Sequence, residues 1–142
     1  MESLAQHILI VANQTAGTRS LLDEVERRAA EGCVFTLLIP DAVDRRSADW
    51  TLEAAEELLS EAAGRAVVGS VRGPDPFEAI RQAVEDGGFD EIIISTFSKR
   101  RSKWLRQDLP RRVKALGLPV TVITPHTDAL ASYATLINRG QL

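Results

Sequence analysis

The sequence predicts an α/β fold in three layers, α/β/α, in which a five-stranded parallel sheet lies between four helices and a short C-terminal appendage follows. Short apolar runs recur along the chain, and segments with apolar residues at helical spacing separate them. The joints between these segments are short, within the range of about two to six residues that is common in α/β units. Strict alternation with short joints is typical of right-handed crossovers and of a parallel sheet covered on both faces.

Each predicted strand is an apolar run that a turn or a helix end closes. The fourth run is continuous and apolar, and the first and second are mostly apolar, which is the pattern of strands buried on both faces. The third run is shorter and weaker, so the edge of the sheet suits it better than the centre. The five predicted strands are His7–Ala12, Cys33–Ile39, Ala66–Val71, the run Ile92–Ile94 and Val120–Thr124.

Each predicted helix has apolar residues at helical spacing between a starting and a stopping signal. Thr18 or Ser20 is expected to cap the first helix and Ser47 the second, while the turn of residues 73–76 starts the third. Asp108 is expected to cap the fourth helix, because a proline in the first turn follows it. The four predicted helices are Arg19–Ala30, Ala48–Ala63, Pro76–Glu85 and Leu109–Leu116.

Composition narrows the classes of protein that this chain can belong to. With 142 residues, 44% of them apolar, it is long enough for one domain with its own core. No apolar run is long enough to cross a membrane and no basic leader precedes the first strand, so we expect a cytoplasmic protein without a membrane partner. Cys33 starts an apolar run and is expected to be buried and inert. The net charge of −3 makes a dedicated nucleic-acid binder unexpected.

A basic segment follows the fourth strand. Ser95 and Thr96 stand where that strand leaves the sheet, and eight lysines and arginines lie within residues 99–114. A parallel strand, a polar loop and a new helix start are the parts of a phosphate or nucleotide site. Three interpretations remain open: cations that pair with the acidic second and third helices or serve only solubility, side chains that hold an anion, and a contact with nucleic acid. Phe97 and Trp104 are expected to anchor the loop on the core, although an aromatic ring can also stack on a base.

The order of elements, the chain length and two junctions resemble the universal stress protein family, of the adenine-nucleotide α-hydrolase-like superfamily. Residues 7–13, HILIVAN, are similar to its first strand, after which an aspartate is common. Residues 116–123, LGLPVTVI, are similar to its proline-bearing turn into the last strand. The resemblance covers about residues 5–124 and implies the strand order 3-2-1-4-5. We therefore expect a domain over residues 1–124 and a helical tail over 125–142, packed on its own domain or on a partner subunit.

The nucleotide-binding members of that family carry a glycine signature after the fourth strand. Laid on this chain, its three glycines fall on Ser95, Ser98 and Asp108, and Leu109 takes the place of a small hydroxyl residue. Serine hydroxyls can still donate to a phosphate. The Asp108 carboxylate, as a cap, would occupy the helix N–H groups that a phosphate uses. The resemblance therefore implies that the usual triphosphate site is closed, while Asn13 replaces the family's base-contacting acid with an amide.

The resemblance implies an adenine nucleotide, ATP or AMP with Mg²⁺, as the cofactor if any is bound. We find no catalytic set and no protein metal site, since His7 and His126 lack partners at a suitable spacing. The candidate residues for a nucleotide or another anionic ligand are Ala12, Asn13, Thr15, Ile39, Ser95, Thr96, Ser98, Lys99, Arg100, Arg101 and Asp108.

These observations predict a regulatory or stress-related binding module with a degenerate nucleotide signature and no chemistry of its own. The resemblance implies a homodimer through the last strand, in which Val120, Val122 and the tail would form the contact. One alternative is a functional adenine-nucleotide binder with at most slow ATP hydrolysis. A second alternative is a contact of residues 99–114 with an anion or with nucleic acid.

Overall fold

Five parallel strands form one sheet in the order β3-β2-β1-β4-β5 in the computed structural model. The structure describes residues 6–12, 15, 17–40, 45–73, 75–96, 103–106 and 108–124, without the side chains of 45–51, 103 and 106. The strands are β1 (His7–Val11), β2 (Val34–Ile39), β3 (Val68–Val71), β4 (Glu91–Ser95) and β5 (Val120–Ile123). The helices are α1 (Arg19–Ala30), α2 (Arg45–Ala63), α3 (Pro76–Gly87), α4 (Lys103–Arg106) and α5 (Leu109–Lys114). The predicted fold class and strand order are confirmed.

The central strands β1 and β4 supply side chains to a core on each face of the sheet. Ile8, Ile10 and Ile93 pack with α1 and α2 on one face. Leu9 and Ile94 pack with α3, Trp104 and α5 on the other. Because successive side chains of a strand point to opposite faces, a strand covered on both must be apolar at every position. This explains the continuous apolar runs of the sequence.

Side-chain caps fix the starts of α1 and α3. Thr18 accepts a hydrogen bond from Leu21 N at 3.4 Å. Of the two residues predicted as the cap of α1, Thr18 and Ser20, Thr18 is therefore confirmed. Asp75 accepts from Phe77 N at 3.1 Å in front of a proline at the start of the helix. Gly88 closes α3 in the left-handed conformation with φ 72°, which places the helix end two residues beyond the predicted one.

Three predicted elements differ from the observed ones. Helix α2 begins at Arg45, so Ser47 lies inside the helix and the predicted cap is wrong. Arginine has a high helix propensity, and the helix extends through Arg45 and Arg46. Strand β3 begins at Val68, two residues late, and occupies the predicted edge of the sheet. The basic segment, predicted to be a loop, contains the short helix α4, and its Trp104 is buried as the predicted anchor on the core.

Several remaining expectations concern burial and the termini. Cys33 is buried as predicted, and this burial raises the pKa of its thiol. No helix in the described ranges is long and apolar enough to cross a membrane. His126, Phe97 and the tail of residues 125–142 lie outside the described residues, so their predicted roles stay predictions.

Candidate functional site

The strand order places a topological switch point between β1 and β4. From β1 the chain proceeds toward β2, and from β4 it proceeds toward β5 on the other side. Val11 and Ile94 are register partners near the carboxyl ends of these two strands. In open parallel sheets, ligands bind in the crevice outside the carboxyl ends of the strands at such a point. The candidate residues that follow β1 and β4 therefore stand where a ligand of this fold would bind.

Two candidate residues, Thr15 and Ser95, hydrogen-bond to each other across the switch point. The Thr15 hydroxyl donates to the Ser95 carbonyl oxygen at 2.9 Å, and its oxygen lies 2.8 Å from the Ser95 hydroxyl oxygen. Thr15 has a single hydroxyl hydrogen, so the Ser95 hydroxyl is the donor of the second bond. Both residues are buried, with exposed fractions of 2% and 1%. The pair ties the loop after β1 to the end of β4, with about 1 kcal/mol of stability for each bond.

The same loop is tied to the first turn of α1. The Thr18 hydroxyl donates to the Thr15 carbonyl oxygen at 3.0 Å, and the Thr18 N–H donates to the same oxygen at 3.1 Å. Sequence analysis identified Thr18 only as a helix cap. A threonine hydroxyl often donates to the backbone carbonyl three residues earlier, so the residue type could have indicated this second bond. Thr15 is thus fixed from both sides, to β4 and to α1.

The sequence predicts that the Ser95 hydroxyl can donate to a phosphate, whereas in the structure it donates to the Thr15 hydroxyl oxygen. Its hydrogen is engaged by Thr15, so a bond to a ligand requires this pair to open. Thr96 donates its N–H to the Ile123 carbonyl oxygen at 3.0 Å, and Ala12 donates to Leu38 at 3.2 Å. These bonds extend the sheet at its carboxyl edge. Ile39, the last residue of β2, belongs to the core on the α1 and α2 face.

Asp108 stands at the start of α5 but does not cap it, so the predicted cap is wrong. Its backbone is left-handed, with φ 58° and ψ 34°, and its side chain makes no capping hydrogen bond. A capping side chain reaches the helix N–H groups from extended backbone angles, which Asp108 lacks. Its carboxylate lies 4.0 Å from the Arg111 guanidinium instead, and both side chains are exposed. The main reason for expecting a closed site is therefore removed.

The left-handed backbone at Asp108 also bears on the glycine signature of the family. Among the described residues, Asp108 is the only one other than glycine with a positive φ. The resemblance places the third glycine of the family's signature at this position, where a left-handed backbone needs no side chain. A residue with a Cβ adopts this conformation at a cost of roughly 1–2 kcal/mol, which aspartate tolerates better than most. Position 108 thus combines a glycine-like backbone with a carboxylate.

The described part of the basic segment includes three cations of α5. Arg111, Arg112 and Lys114 are all exposed, and the Arg112 guanidinium lies over the Phe77 ring at 4.6 Å. The first interpretation of the basic segment requires ion pairs between α5 and α2 or α3. In the described part of the chain there is none. Arg81 of α3 pairs within its own helix, with Glu78 and Glu85. The described cations therefore remain accessible to an anionic ligand.

Five candidate residues cannot be placed. Asn13, Ser98, Lys99, Arg100 and Arg101 lie outside the described residues, so their assignment to the site remains a prediction. The structure brings together Thr15, Ser95 and Thr96 of the candidates.

The described residues hold no metal site or histidine-based catalytic set. No group of three histidine, cysteine, aspartate or glutamate residues among them could hold a metal ion. His7 Nε2 hydrogen-bonds to the Thr36 hydroxyl at 2.8 Å, and its ring packs on Phe89 with 4.5 Å between centroids. His7 is therefore a structural residue at the amino end of β1, as predicted.

The sheet order defines the class, a doubly wound α/β fold, and in this class ligands bind outside the carboxyl ends of the strands at the switch point. No protein-family model and no curated protein matches the sequence. Solved structures do match. One is a universal stress protein in complex with cAMP, with 12% identity and a TM-score of 0.64, covering 86% of this chain and 98% of that chain.

Two further solved structures have the same fold. A universal stress protein family member from Burkholderia pseudomallei has 17% identity and a TM-score of 0.60, covering 87% of this chain and 98% of its own. The universal stress protein from Archaeoglobus fulgidus in complex with dAMP has 16% identity and a TM-score of 0.58, covering 85% and 98%. This chain has the fold of the universal stress proteins.

Proposed function

We propose that this protein is a regulatory module that binds an adenine nucleotide at the carboxyl edge of its sheet, between β1 and β4. The observation that carries the proposal is the left-handed backbone at Asp108, whose carboxylate leaves the start of α5 uncapped. Asp108, at the position of the signature's third glycine, thus keeps the backbone conformation that a glycine would adopt there. The universal stress proteins solved with cAMP and with dAMP support the choice of ligand.

The Thr15–Ser95 pair would position the two loops that flank the ligand. Its hydrogen bonds are buried and fix the loop after β1 against the end of β4. A preorganised crevice loses little conformational entropy when a ligand binds. We propose that the nucleotide contacts the side chains of Asn13, Ser98, Lys99, Arg100 and Arg101. Thr15 and Ser95 would act through the position of these loops.

The charge at position 108 favours a ligand with few phosphates. Asp108 adds an exposed carboxylate beside the loop, where the family's signature has an uncharged glycine. Each further phosphate of a nucleotide would increase the repulsion from this charge. We therefore propose a monophosphate, AMP or a cyclic form, as a better ligand than ATP. Mg²⁺ would arrive bound to phosphates, because the described residues offer no group of ligands for it.

Calorimetric titration with AMP, cAMP and ATP–Mg²⁺ at near-physiological salt tests this proposal. We expect saturable heat with AMP or cAMP at micromolar affinity and weaker binding of ATP, because of the charge at Asp108. GMP is the control for the base, and it should bind more weakly than AMP. Absence of heat with every nucleotide up to millimolar concentration would show that the proposed function is wrong.

A second candidate function, association through β5, is favoured by the exposure of that edge strand. Strand β5 ends the sheet, and Val122 is 39% exposed. Unpaired edge strands with apolar side chains are suited to pairing with another chain. We propose that a second copy binds here in a symmetric dimer, as the resemblance implies.

The variant Val122→Glu is expected to shift such a dimer to monomers, because it places a charge in an apolar contact. Sedimentation velocity at tens of micromolar measures the change. The matched control is Val68→Glu on the opposite edge strand β3, where Val68 is 67% exposed. This control should sediment like the wild type. A wild-type protein that is monomeric at these concentrations would contradict the proposed dimer.

A further inference from the structure

The two edges of the sheet differ in how their outward-facing backbone groups are satisfied. Strands β3 and β5 are the edges, and each has one side without a neighbouring strand. An edge presents N–H and C=O groups that can pair with another chain, and proteins protect such edges in different ways. The protection of each edge depends on the partners of its outward-facing N–H groups.

The register of β3 shows which of its N–H groups point away from the sheet. Thr36 pairs with Val68 and Ile39 with Val71, and Arg72 N donates to the Ile39 carbonyl oxygen at 3.0 Å. In a strand, N–H groups alternate between its two sides. The outward-facing N–H groups are therefore those of Val67, Gly69 and Val71.

Side chains of α2 satisfy two of these three outward-facing groups. Val67 N donates to the Ser60 hydroxyl oxygen at 2.8 Å. Gly69 N donates to Glu56 Oε2 at 2.8 Å, a hydrogen bond strengthened by the carboxylate charge. Glu56 is only partly exposed, because its carboxylate bends back to β3. The helix thus covers the edge with polar side chains from its own domain.

Gly69 lies in close contact with the neighbouring strand and with α2. A Cβ at this position would lie 2.9 Å from the Leu37 carbonyl oxygen in β2 and 3.0 Å from a methyl carbon of Leu52 in α2. The contact with the β2 backbone is too short for a side chain unless β3 shifts. The absence of a side chain at Gly69 therefore keeps β3 in the position at which its N–H reaches the Glu56 carboxylate.

The opposite edge has no such cover among the described residues. Ile92 N donates to Pro119 O and Thr96 N to Ile123 O, so by alternation the N–H groups of Val120 and Val122 point outward. No described side chain accepts a hydrogen bond from either N–H group. Among the described residues, polar side chains thus cover the β3 edge, and none accepts from the outward-facing N–H groups of the β5 edge.

We propose that Glu56 and Ser60 of α2 close the β3 edge against pairing with another chain, and that Glu56 is the main block. A strand arriving at β3 would need the Gly69 N–H, which already donates to the Glu56 carboxylate. Association through backbone pairing is thereby confined to the β5 edge. Removal of the Glu56 acceptor creates a second association surface for another copy of this chain.

The variant Glu56→Ala tests this proposal by sedimentation over a range of protein concentrations. We expect it to associate beyond the wild-type state, with a concentration for half-association about tenfold lower than that of the control, because the freed N–H group gains a partner. The control is Glu57→Ala, which removes the neighbouring exposed charge of the same helix. Identical mass distributions of Glu56→Ala and Glu57→Ala would overturn the proposal.

The variant Glu56→Gln separates the hydrogen bond from the charge. Its amide oxygen can accept from Gly69 N, so we expect this variant to sediment like the wild type. Association as strong as that of Glu56→Ala would overturn the proposal, since loss of charge alone would then be the cause.

Amide exchange in the wild-type protein gives a test that needs no variant. Gly69 N–H should exchange about tenfold more slowly than Val71 N–H, the outward-facing group of β3 that no described residue accepts. Equal exchange of the two amides would contradict the Glu56 contact.

Discussion

Replacement of Asp108 with glycine is expected to raise the affinity for an adenine monophosphate by about tenfold. The variant removes an exposed carboxylate beside the proposed phosphate position and keeps the left-handed backbone, which glycine adopts freely. It also lets the backbone approach the ligand more closely. Calorimetric titration with AMP measures the gain, and the gain for ATP should be larger because ATP carries more charge.

The stability of the Asp108→Gly variant is expected to change little. Relief of the left-handed strain contributes roughly 1 kcal/mol, and the greater freedom of glycine in the unfolded chain costs about 0.5–1 kcal/mol. Urea unfolding should therefore give a midpoint close to that of the wild type. The change in affinity can then be assigned to the site.

Asp108→Asn is the matched variant that isolates charge from backbone. Asparagine tolerates the left-handed conformation and carries no charge, so it should recover most of the tenfold gain if repulsion dominates. A gain with glycine alone would assign the effect to the close approach of the backbone. If wild type binds AMP and neither variant binds it more tightly, position 108 lies away from the ligand.

The strands could be predicted from the sequence because their signals are local and strong, whereas the resemblance implied their order. The runs Ile92–Ile94 and Ile8–Val11 are apolar at every position, as a strand covered on both faces requires. The turn and cap around Asp75 are also fixed by neighbouring residues. Such features depend on a few adjacent side chains, and tertiary contacts rarely reverse them.

Asp108 shows where local reasoning fails. An aspartate before a leucine and a proline is a typical start of a helix, and residue type alone favours a cap. The backbone angle at Asp108 depends on how the chain returns from Trp104, which is buried in the core, to α5. That path is a tertiary property, so the left-handed conformation could not be read from the neighbouring residues.

The contacts of Thr15 and Glu56 were hidden from the sequence for a different reason. Thr15 and Ser95 were each predicted as candidates, but they lie 80 positions apart, and only the sheet order brings them together. Glu56 belongs to an acidic stripe that looks solvated, and only the close packing of α2 on Gly69 turns its carboxylate to β3. Long-range pairs of polar residues have no periodic signal.

Replacement of Glu91 with alanine is expected to cost about 3 kcal/mol of the free energy of unfolding at neutral pH. Arg28 Nη1 and Nη2 donate to the two carboxylate oxygens of Glu91 at 2.6 and 2.8 Å, and Thr121 donates to the same carboxylate at 2.9 Å. The side chains of Arg28 and Glu91 are 11% and 13% exposed. The loss of Glu91 leaves the buried guanidinium with only Glu24 as an anionic partner, at 2.7 Å.

Urea unfolding measures this loss, and Glu31→Ala is the control. Glu31 pairs with Arg27 at 3.6 Å at the end of α1, but both side chains are more than half exposed. Exposed pairs contribute about 0.2–1 kcal/mol, so the control should lose far less than Glu91→Ala. Equal losses in the two variants would mean that desolvation of the buried Arg28–Glu91 pair cancels its attraction.

The pH dependence of the Glu91 variant distinguishes an ion pair from simple packing. The hydrogen bonds from Arg28, with that from Thr121, hold the pKa of the Glu91 carboxyl below its ordinary value. A group with a lowered folded pKa stabilises the protein above its unfolded pKa, about 4.3, and loses this contribution as the pH falls through the folded pKa. The difference in unfolding free energy between wild type and Glu91→Ala should therefore shrink below about pH 4. A difference that stays constant down to acid pH would assign the loss to packing.

Glu91 lies at the amino end of β4, opposite the proposed nucleotide site, so AMP affinity at neutral pH should not change in this variant.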